Sequence, residues 1–485
     1  MHGLRNLHAL VIAEALLRAL LTISATPLVL FEIGCSQSQF PQPQTTNSTQ
    51  STSTQPAVSV SIEPQSVAIR RGDSWNFTAI VSGIGSGSAV NWSIQEGSAG
   101  GDVNYAGNYT SPATAGVYHV IATSKADPSK SATATVSVEK AGFTLTGSLK
   151  TPRHSHTATL LPNGLVYVAG GDSLDDFEVV AIADQAELFN PPTGTFQPGE
   201  EVMREFHTAT LLQNGDVLFT GGISFETASG SWILTPTAEL LKAGSTSLHP
   251  TGNMSVGRYS HTATLLLDGR VLITGGEAQS ETKIIPTQTA EIYDPASGKF
   301  TPAGDMTTPR LGHSAVLLQN GRVLIVGGAP SAEVFDPATN SFTPAGSFTP
   351  TGDISNVYAA TLLADGRVLV TNGPSAPSQI YDPATGQFTP TGTMATWRAN
   401  YTATLLSDGT VLIAGGYTTP STPGTSGVTP VTSTEIYNPS TGTFDPGPTM
   451  RQGRYQHTAT RLPDGSVLFV GGIGGTTLSS AEIYH

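Results

Sequence analysis

One pattern constrains this chain more than any other: a block of roughly 50 residues is written seven times between residues 141 and 485. The run His156-Thr157-Ala158-Thr159-Leu160-Leu161 returns at His207–Leu212, His261–Leu266 and Tyr401–Leu406, and more loosely at His313, Tyr358 and His457. A turn dipeptide follows each time, from Asn163-Gly164 to Asp464-Gly465, and Asn-Gly or Asp-Gly tolerates the positive φ of a tight hairpin. An apolar run then ends in a glycine pair, Gly170-Gly171 through Gly471-Gly472; only the fifth block departs, with Asn372-Gly373. A third run opens with Glu187, Glu239, Glu291, Glu333, Gln379, Glu435 or Glu482 and closes on an aromatic-Asp/Asn-Pro turn such as Tyr293-Asp294-Pro295. A fourth carries Phe196, Phe300, Phe342, Phe388 or Phe444.

Four short strands per block, repeated around an axis, describe a β-propeller. The 53 Gly, 33 Pro and 12% charged residues agree, since they disfavour long helices and suit strands joined by turns. The Arg-x-x-His start, the glycine pair and the Glu-[Val/Ile]-[Tyr/Phe]-Asp-Pro run resemble kelch repeats over residues 141–485. The fold expected is therefore all-β, a seven-bladed kelch-type propeller preceded by a small immunoglobulin-like β-sandwich. The seventh block stops at Tyr484-His485 after its third strand, and Gly142-Phe143-Thr144-Leu145-Thr146 reads as an orphan fourth strand. Strand 142–148 is thus expected to close the last blade and remove the open edge.

The remainder divides by composition. Residues 19–31 are apolar and preceded by Arg5 and Arg18, a length suited to a signal peptide and too short to span a bilayer comfortably. Glu32-Ile33-Gly34-Cys35 resembles a bacterial lipoprotein cleavage box, with Glu32 where Leu is usual; residues 1–35 are read as a leader and Cys35 as its lipidation site. A plain secretory signal is the alternative. Cys35 is also the chain's single cysteine, so no intrachain disulfide forms. Residues 36–56, rich in Ser, Thr, Gln and Pro, are expected to stay disordered as a tether. Residues 57–139 alternate with period two in runs split by Gly, Asp, Asn and Pro, which predicts a two-sheet antiparallel sandwich. Val90-Asn91-Trp92-Ser93-Ile94 followed by residues 109–118 resembles bacterial immunoglobulin-like domains, and Trp92 is expected in its core.

Strand order decides which face of a propeller can bind. The 1–2 and 3–4 turns are short throughout, whereas the 2–3 connections at 172–185, 223–237, 277–289, 417–433 and 473–480 are long, and long loops on a rigid scaffold collect binding residues. On the same face Arg153, Arg204, Arg258, Arg310, Arg398 and Arg454 precede the repeat His or Tyr by three residues; blade five has Ser355. These arginines are candidates for capturing a carboxylate or sulfate. The competing reading pairs each with its repeat Glu, and the blade that lacks Arg also lacks Glu, having Gln379. The repeat histidines lie on different blades and are read as structural, bonding neighbouring backbone, because zinc needs convergent ligands. Asp172, Asp175, Asp176 and Glu178 form an acidic loop without a recognisable calcium pattern. Trp232, Trp397, Tyr259, Tyr417 and Tyr455 are candidates for stacking on sugar rings or, alternatively, pack their loops.

Charge and motifs narrow the function. Residues 141–485 carry fifteen basic and twenty-eight acidic side chains, against seven and eight before them, so nucleic acid is an unfavourable partner. Galactose oxidase, a kelch-type enzyme, uses a Cys–Tyr crosslink beside copper; with no cysteine after Cys35, the chain cannot make it. No Gly-x-Ser-x-Gly elbow, His-Glu-x-x-His or phosphate loop occurs, and no catalytic residue, metal ligand or cofactor is assigned. The expectation is an exported, surface-tethered monomer that binds a glycan or protein. It would meet the membrane only through an N-terminal lipid. The alternative is a cofactor-free carbohydrate enzyme resembling the kelch-type sialic acid epimerases.

Overall fold

The computed structural model describes residues 57–83, 89–112, 114–173, 185–226, 231–245, 247–280, 283–346, 348, 359–371, 377–419 and 427–485. Residues 56–485 form one compact unit. The expected leader, the lipidation site Cys35 and the tether lie outside the described residues. The described residues contain strands and one short 3₁₀ turn, Gly97–Gly100. None of their helices is long and apolar enough to cross a membrane.

Seven four-stranded sheets follow one another from residue 157 to the end. Blade one shows the plan: Thr157–Leu160, Val166–Ala169, Gln185–Asn190 and Thr195–Glu201 run antiparallel from the axis outward. The second strand of every blade is buried along its whole length, as in Val323–Val326 and Val467–Val470, because it is covered by the blades on both sides. Apolar clusters accordingly form between blades: Leu324 and Val326 of blade four pack with Val368 and Val370 of blade five. Farther out, an aromatic pair joins third and fourth strands with centroids 4.9 Å apart, for example Tyr293 with Phe300 and Tyr437 with Phe444.

The innermost strands contact each other in an unbroken cycle, and blade seven, Thr458–Arg461, returns to blade one. The outermost strand of that last sheet is Phe143–Leu145, registered as Phe143 opposite Tyr484 and Leu145 opposite Glu482. The Phe143 ring is buried against Phe469 and Tyr484, with centroids 5.4 and 5.3 Å away. Chain start and chain end of the propeller thus share one sheet, which hydrogen-bonds what would be an open edge.

Before the ring, three small sheets surround a core of Ile62, Phe77, Tyr109, Val120 and Val136. Trp92 is partly buried against that core. The sheets are not wholly antiparallel as expected: Ser66–Ile69 runs parallel to Thr135–Val138. Val67 and Val136 are paired in that register, so the strand reaches the second sheet by a crossover, which period-two alternation cannot reveal. This part meets the short-turn face of the propeller, where Arg70 pairs with Asp464 at 2.6 Å. The long-loop face is on the other end of the blades.

Candidate functional site

The long-loop face is built by the repeat motif itself. An apolar residue four positions before the arginine (Leu149, Met254, Met306, Met394, Met450) is buried beneath it and anchors the approach to the axis. The arginine then turns inward, is at most 5% exposed, and makes the same set of bonds in each blade. Arg310 donates to the carbonyls of Gly327 and Ser331 at 3.0 and 2.6 Å, and to Glu333 Oε1 at 2.9 Å. Arg153–Glu187, Arg204–Glu239, Arg258–Glu291, Arg398–Glu435 and Arg454–Glu482 repeat the pair at 2.6–3.1 Å. The glutamate's other bonds come from the backbone, as when Thr307 N–H donates to Glu333 at 2.7 Å. All six candidate arginines are therefore brought to their own blade's Glu, with the side chains buried. In blade five Gln379 is buried, while Ser355 lies outside the described residues.

The histidines do something sequence reasoning missed. Besides the expected contacts with neighbouring backbone, made by His207 to Arg204 and by His457 to Arg454, they bond threonine hydroxyls across the blade junction: His207 Nε2 to Thr157 at 2.9 Å, His261 to Thr208 at 3.1 Å, His313 to Thr262 at 3.0 Å, and His457 to Thr402 at 3.2 Å. His156 closes the circle on Thr458 at 3.1 Å. In blade six Tyr401 replaces His and bonds Thr371 at 2.6 Å. Each imidazole is fully enclosed, and burial followed by the nearby arginine charge depresses its basicity; His207, His313 and His457 are pushed down to about 3. The signal was present in the sequence, since the residue after His or Tyr is Thr in blades one, two, three, six and seven.

The glycine pair fits between these parts. A Cβ on Gly170 would strike the Arg204 carbonyl and the His207 ring of the next blade, and one on Gly171 the His154 carbonyl of its own blade. Both have positive φ, 64° and 90°, so side chains are excluded by conformation as well as space. The close approach lets Gly171 N–H donate to the Arg204 carbonyl at 3.0 Å, and Gly472 to Arg153 at 2.9 Å across the ring closure.

Two residues after each arginine the chain again takes positive φ, at Ser155, Phe206, Ser260, Gly312, Asn400 and Gln456. Among the described residues their backbones form a hoop around the axis from blade six through blade four. Phe206 N–H donates to Ser155, Ser260 to Phe206, Gly312 to Ser260, Gln456 to Asn400 and Ser155 to Gln456, at 3.2–3.3 Å. The residue between arginine and hoop bridges to the residue after the glycine pair: His154 with Asp172, Glu205 with Ile223, Ala399 with Tyr417, Tyr455 with Ile473. These positions differ from blade to blade within an otherwise constant frame.

Two groups of side chains stand there. On blades six and seven, Trp397, Tyr417 and Tyr455 are half-buried and packed edge to face, with centroids 6.1 and 5.1 Å apart. On blades one to three, Glu205 is 6% exposed, and burial first, then the Asp172 charge, push its carboxyl up to about 7. Beside it Tyr259 donates to Glu277 and packs on Phe206 at 5.9 Å. Of the candidate aromatics, Tyr259 thus joins the acidic group, and Tyr455 and Trp397 the aromatic one. Trp232 is on the hairpin Ile223–Glu226/Ser231–Leu234, its side chain outside the described residues, as are Asp175, Asp176 and Glu178 of the acidic loop.

No protein-family model and no curated protein matches the chain. Among solved structures, a novel fungal alcohol oxidase with catalytic diversity among the AA5 family, in complex with copper, aligns over 71% of this chain and 76% of its own. The TM-score is 0.54 and the identity 18%. The chain has a seven-bladed β-propeller fold. A second structure, of YjhT, aligns at TM-score 0.46 and 13% identity over 69% of this chain and 95% of that one. At 18% identity the likeness to the oxidase carries the fold and no chemistry. The residues present do not fit a copper ion. Among the described residues no three His, Cys, Asp or Glu side chains are placed to hold a metal, and the ring histidines are each engaged by threonine.

Proposed function

We propose that this propeller binds a glycan on its long-loop face, with Trp397, Tyr417 and Tyr455 as the platform on which sugar rings stack. The observation that carries the reading is this aromatic trio, half-exposed at or beside the variable positions of blades six and seven. Aromatic faces match the apolar C–H faces of sugars, and edge-to-face packing holds the rings in place before a ligand arrives. The arginines and histidines are engaged within the frame, and the reading therefore gives the ligand contacts to the aromatic side chains. We place the activity outside the cytoplasm, on the strength of the Arg5/Arg18-flanked apolar stretch and the Cys35 box; mass spectrometry of the mature N-terminus tests lipidation.

The test is a glycan array followed by calorimetry on the best hit, comparing the wild-type chain with Trp397→Ala and Tyr455→Ala. The expected result is a loss of about tenfold or more in affinity for each variant, corresponding to about 1.4 kcal/mol, with an unchanged unfolding midpoint. Undiminished binding in both variants would remove the platform. An empty array together with specific capture of a protein would move the function to protein recognition.

A further inference from the structure

Blades one to three carry a chemistry that the aromatic platform does not use. Glu205 follows Arg204, but that arginine is turned to Glu239, at 2.6 Å. The Glu205 carboxylate forms no hydrogen bond or ion pair among the described residues, although the residue is only 6% exposed. A buried carboxylate without a donor is costly unless something supplies one. Asp172 from blade one adds like charge to Glu205, and Tyr259, which feels the Glu205 charge, donates to Glu277 of blade three. Burial, Glu277 and, more weakly, Glu205 hold the Tyr259 phenol well above its ordinary range, so it stays a neutral donor. Phe206 and Tyr259 supply aromatic rings beside these oxygens.

Resting on the reading that this face binds a glycan, we propose that Glu205, Asp172 and Glu277, with Phe206 and Tyr259, form a subsite for a protonated amine, so that the preferred ligand is a non-acetylated amino sugar. An ammonium brings N–H donors to the Glu205 carboxylate and gains further attraction from ring faces. A bare divalent cation is a poorer occupant, because among the described residues no three such side chains converge at metal-ligand distance, whereas an ammonium needs only the Glu205 oxygens and the ring faces. An N-acetyl group would leave the carboxylate buried and unmatched, which is the basis of discrimination.

The proposal is tested with β-linked glucosamine tetramer and its fully N-acetylated counterpart, on wild type, Glu205→Gln and Trp397→Ala. Wild type is expected to bind the free amine at least tenfold more tightly than the acetylated oligomer. Glu205→Gln is expected to erase that preference, whereas Trp397→Ala weakens both ligands alike. Equal binding of the two oligomers by wild type overturns the amine subsite and leaves the glycan reading standing; binding of neither overturns both. Competition by calcium at micromolar concentration would replace the amine by a metal and overturn the proposal. A second measurement needs no variant: the ¹³C titration of the Glu205 carboxyl in wild type should fall by one pH unit or more with the glucosamine tetramer, and an unmoved midpoint refutes it.

Discussion

Mild acid should unfold this propeller through its histidine ring. His207, His313 and His457 are held at about 3 in the folded chain, and His156 and His261 well below the ordinary value, by burial first and neighbouring arginine charge second. In the unfolded chain a histidine titrates near 6.5, so between about 6.5 and 3 the unfolded state binds protons that the native state refuses. Stability therefore falls as pH falls, by about 1.4 kcal/mol per pH unit for each such group. Glu205 acts in the opposite sense: raised to about 7, it binds its proton more readily when folded and offsets one histidine above its unfolded value of about 4.3. Five against one leaves roughly 5 kcal/mol lost per pH unit below about 6, against a typical total of about 5–15 kcal/mol. Carboxylates held low by surface partners, such as Asp268 beside Arg270, act only below about pH 4. The assay is guanidinium denaturation from pH 8 to 5.5, followed by near-ultraviolet circular dichroism. The midpoint should hold down to about pH 7 and then drop steeply. His313→Tyr, copying the Tyr401–Thr371 bond of blade six, should remove one share of that slope. A midpoint that stays level to pH 5.5, or a slope that His313→Tyr leaves untouched, would refute the reasoning.

Arg310→Met should cost about 3–5 kcal/mol by stranding Glu333, whose side chain is 1% exposed, whereas the double variant with Glu333→Gln should recover part of that loss, as a double-mutant cycle in denaturant will show. If Arg310→Met folds with wild-type stability and loses ligand instead, the arginines belong to the binding site. Gly171→Ala should destabilise by several kcal/mol, since the methyl meets the His154 carbonyl and the His156 Cβ, the latter at 2.8 Å; a stable Ala variant would refute the close approach. Phe143→Ala should cost about 3–5 kcal/mol and expose the Ala481–Tyr484 edge, read as a lower melting temperature and concentration-dependent association.

The frame was legible because it is written in positions that repeat. Turn dipeptides, glycine pairs and the alternation within each block determine strand length and pairing, and the Phe143 strand was visible as a fourth strand without its blade. The Arg–Glu pairing could be read from Ser355 and Gln379 departing together, because two residues that bond must change as a pair. The His–Thr link was less visible. Its partners are about 50 residues apart, on different blades, and nothing in one block says which neighbour its imidazole will meet. Glu205 escaped for a related reason: the charge that acts on it comes from Asp172 on the preceding blade, and its own charge acts on Tyr259 of the next, so no local pattern marks it.

The same logic locates function within the ring. A motif present in nearly every blade is explained by what every blade needs: an arginine to tie the second and third strands, a histidine to reach the preceding blade, glycines to admit both. On the proposed reading ligand specificity does not reside in such positions, since seven-fold repetition would offer six or seven equivalent sites around one axis. It must arise where the repeat is broken on the surface that the frame holds rigid. Two such breaks coincide with side chains of unusual character, aromatic at Trp397, Tyr417 and Tyr455, and acidic at Asp172, Glu205 and Glu277. Blades six, seven, one, two and three adjoin in the closed ring, so both groups lie on one continuous arc of the mouth. A ligand long enough to follow that arc would engage stacking and charge together. For that reason Glu205→Gln and Trp397→Ala combined should lose more affinity for the glucosamine tetramer than for its monomer; an equal loss for both lengths would mean that the two groups serve separate ligands.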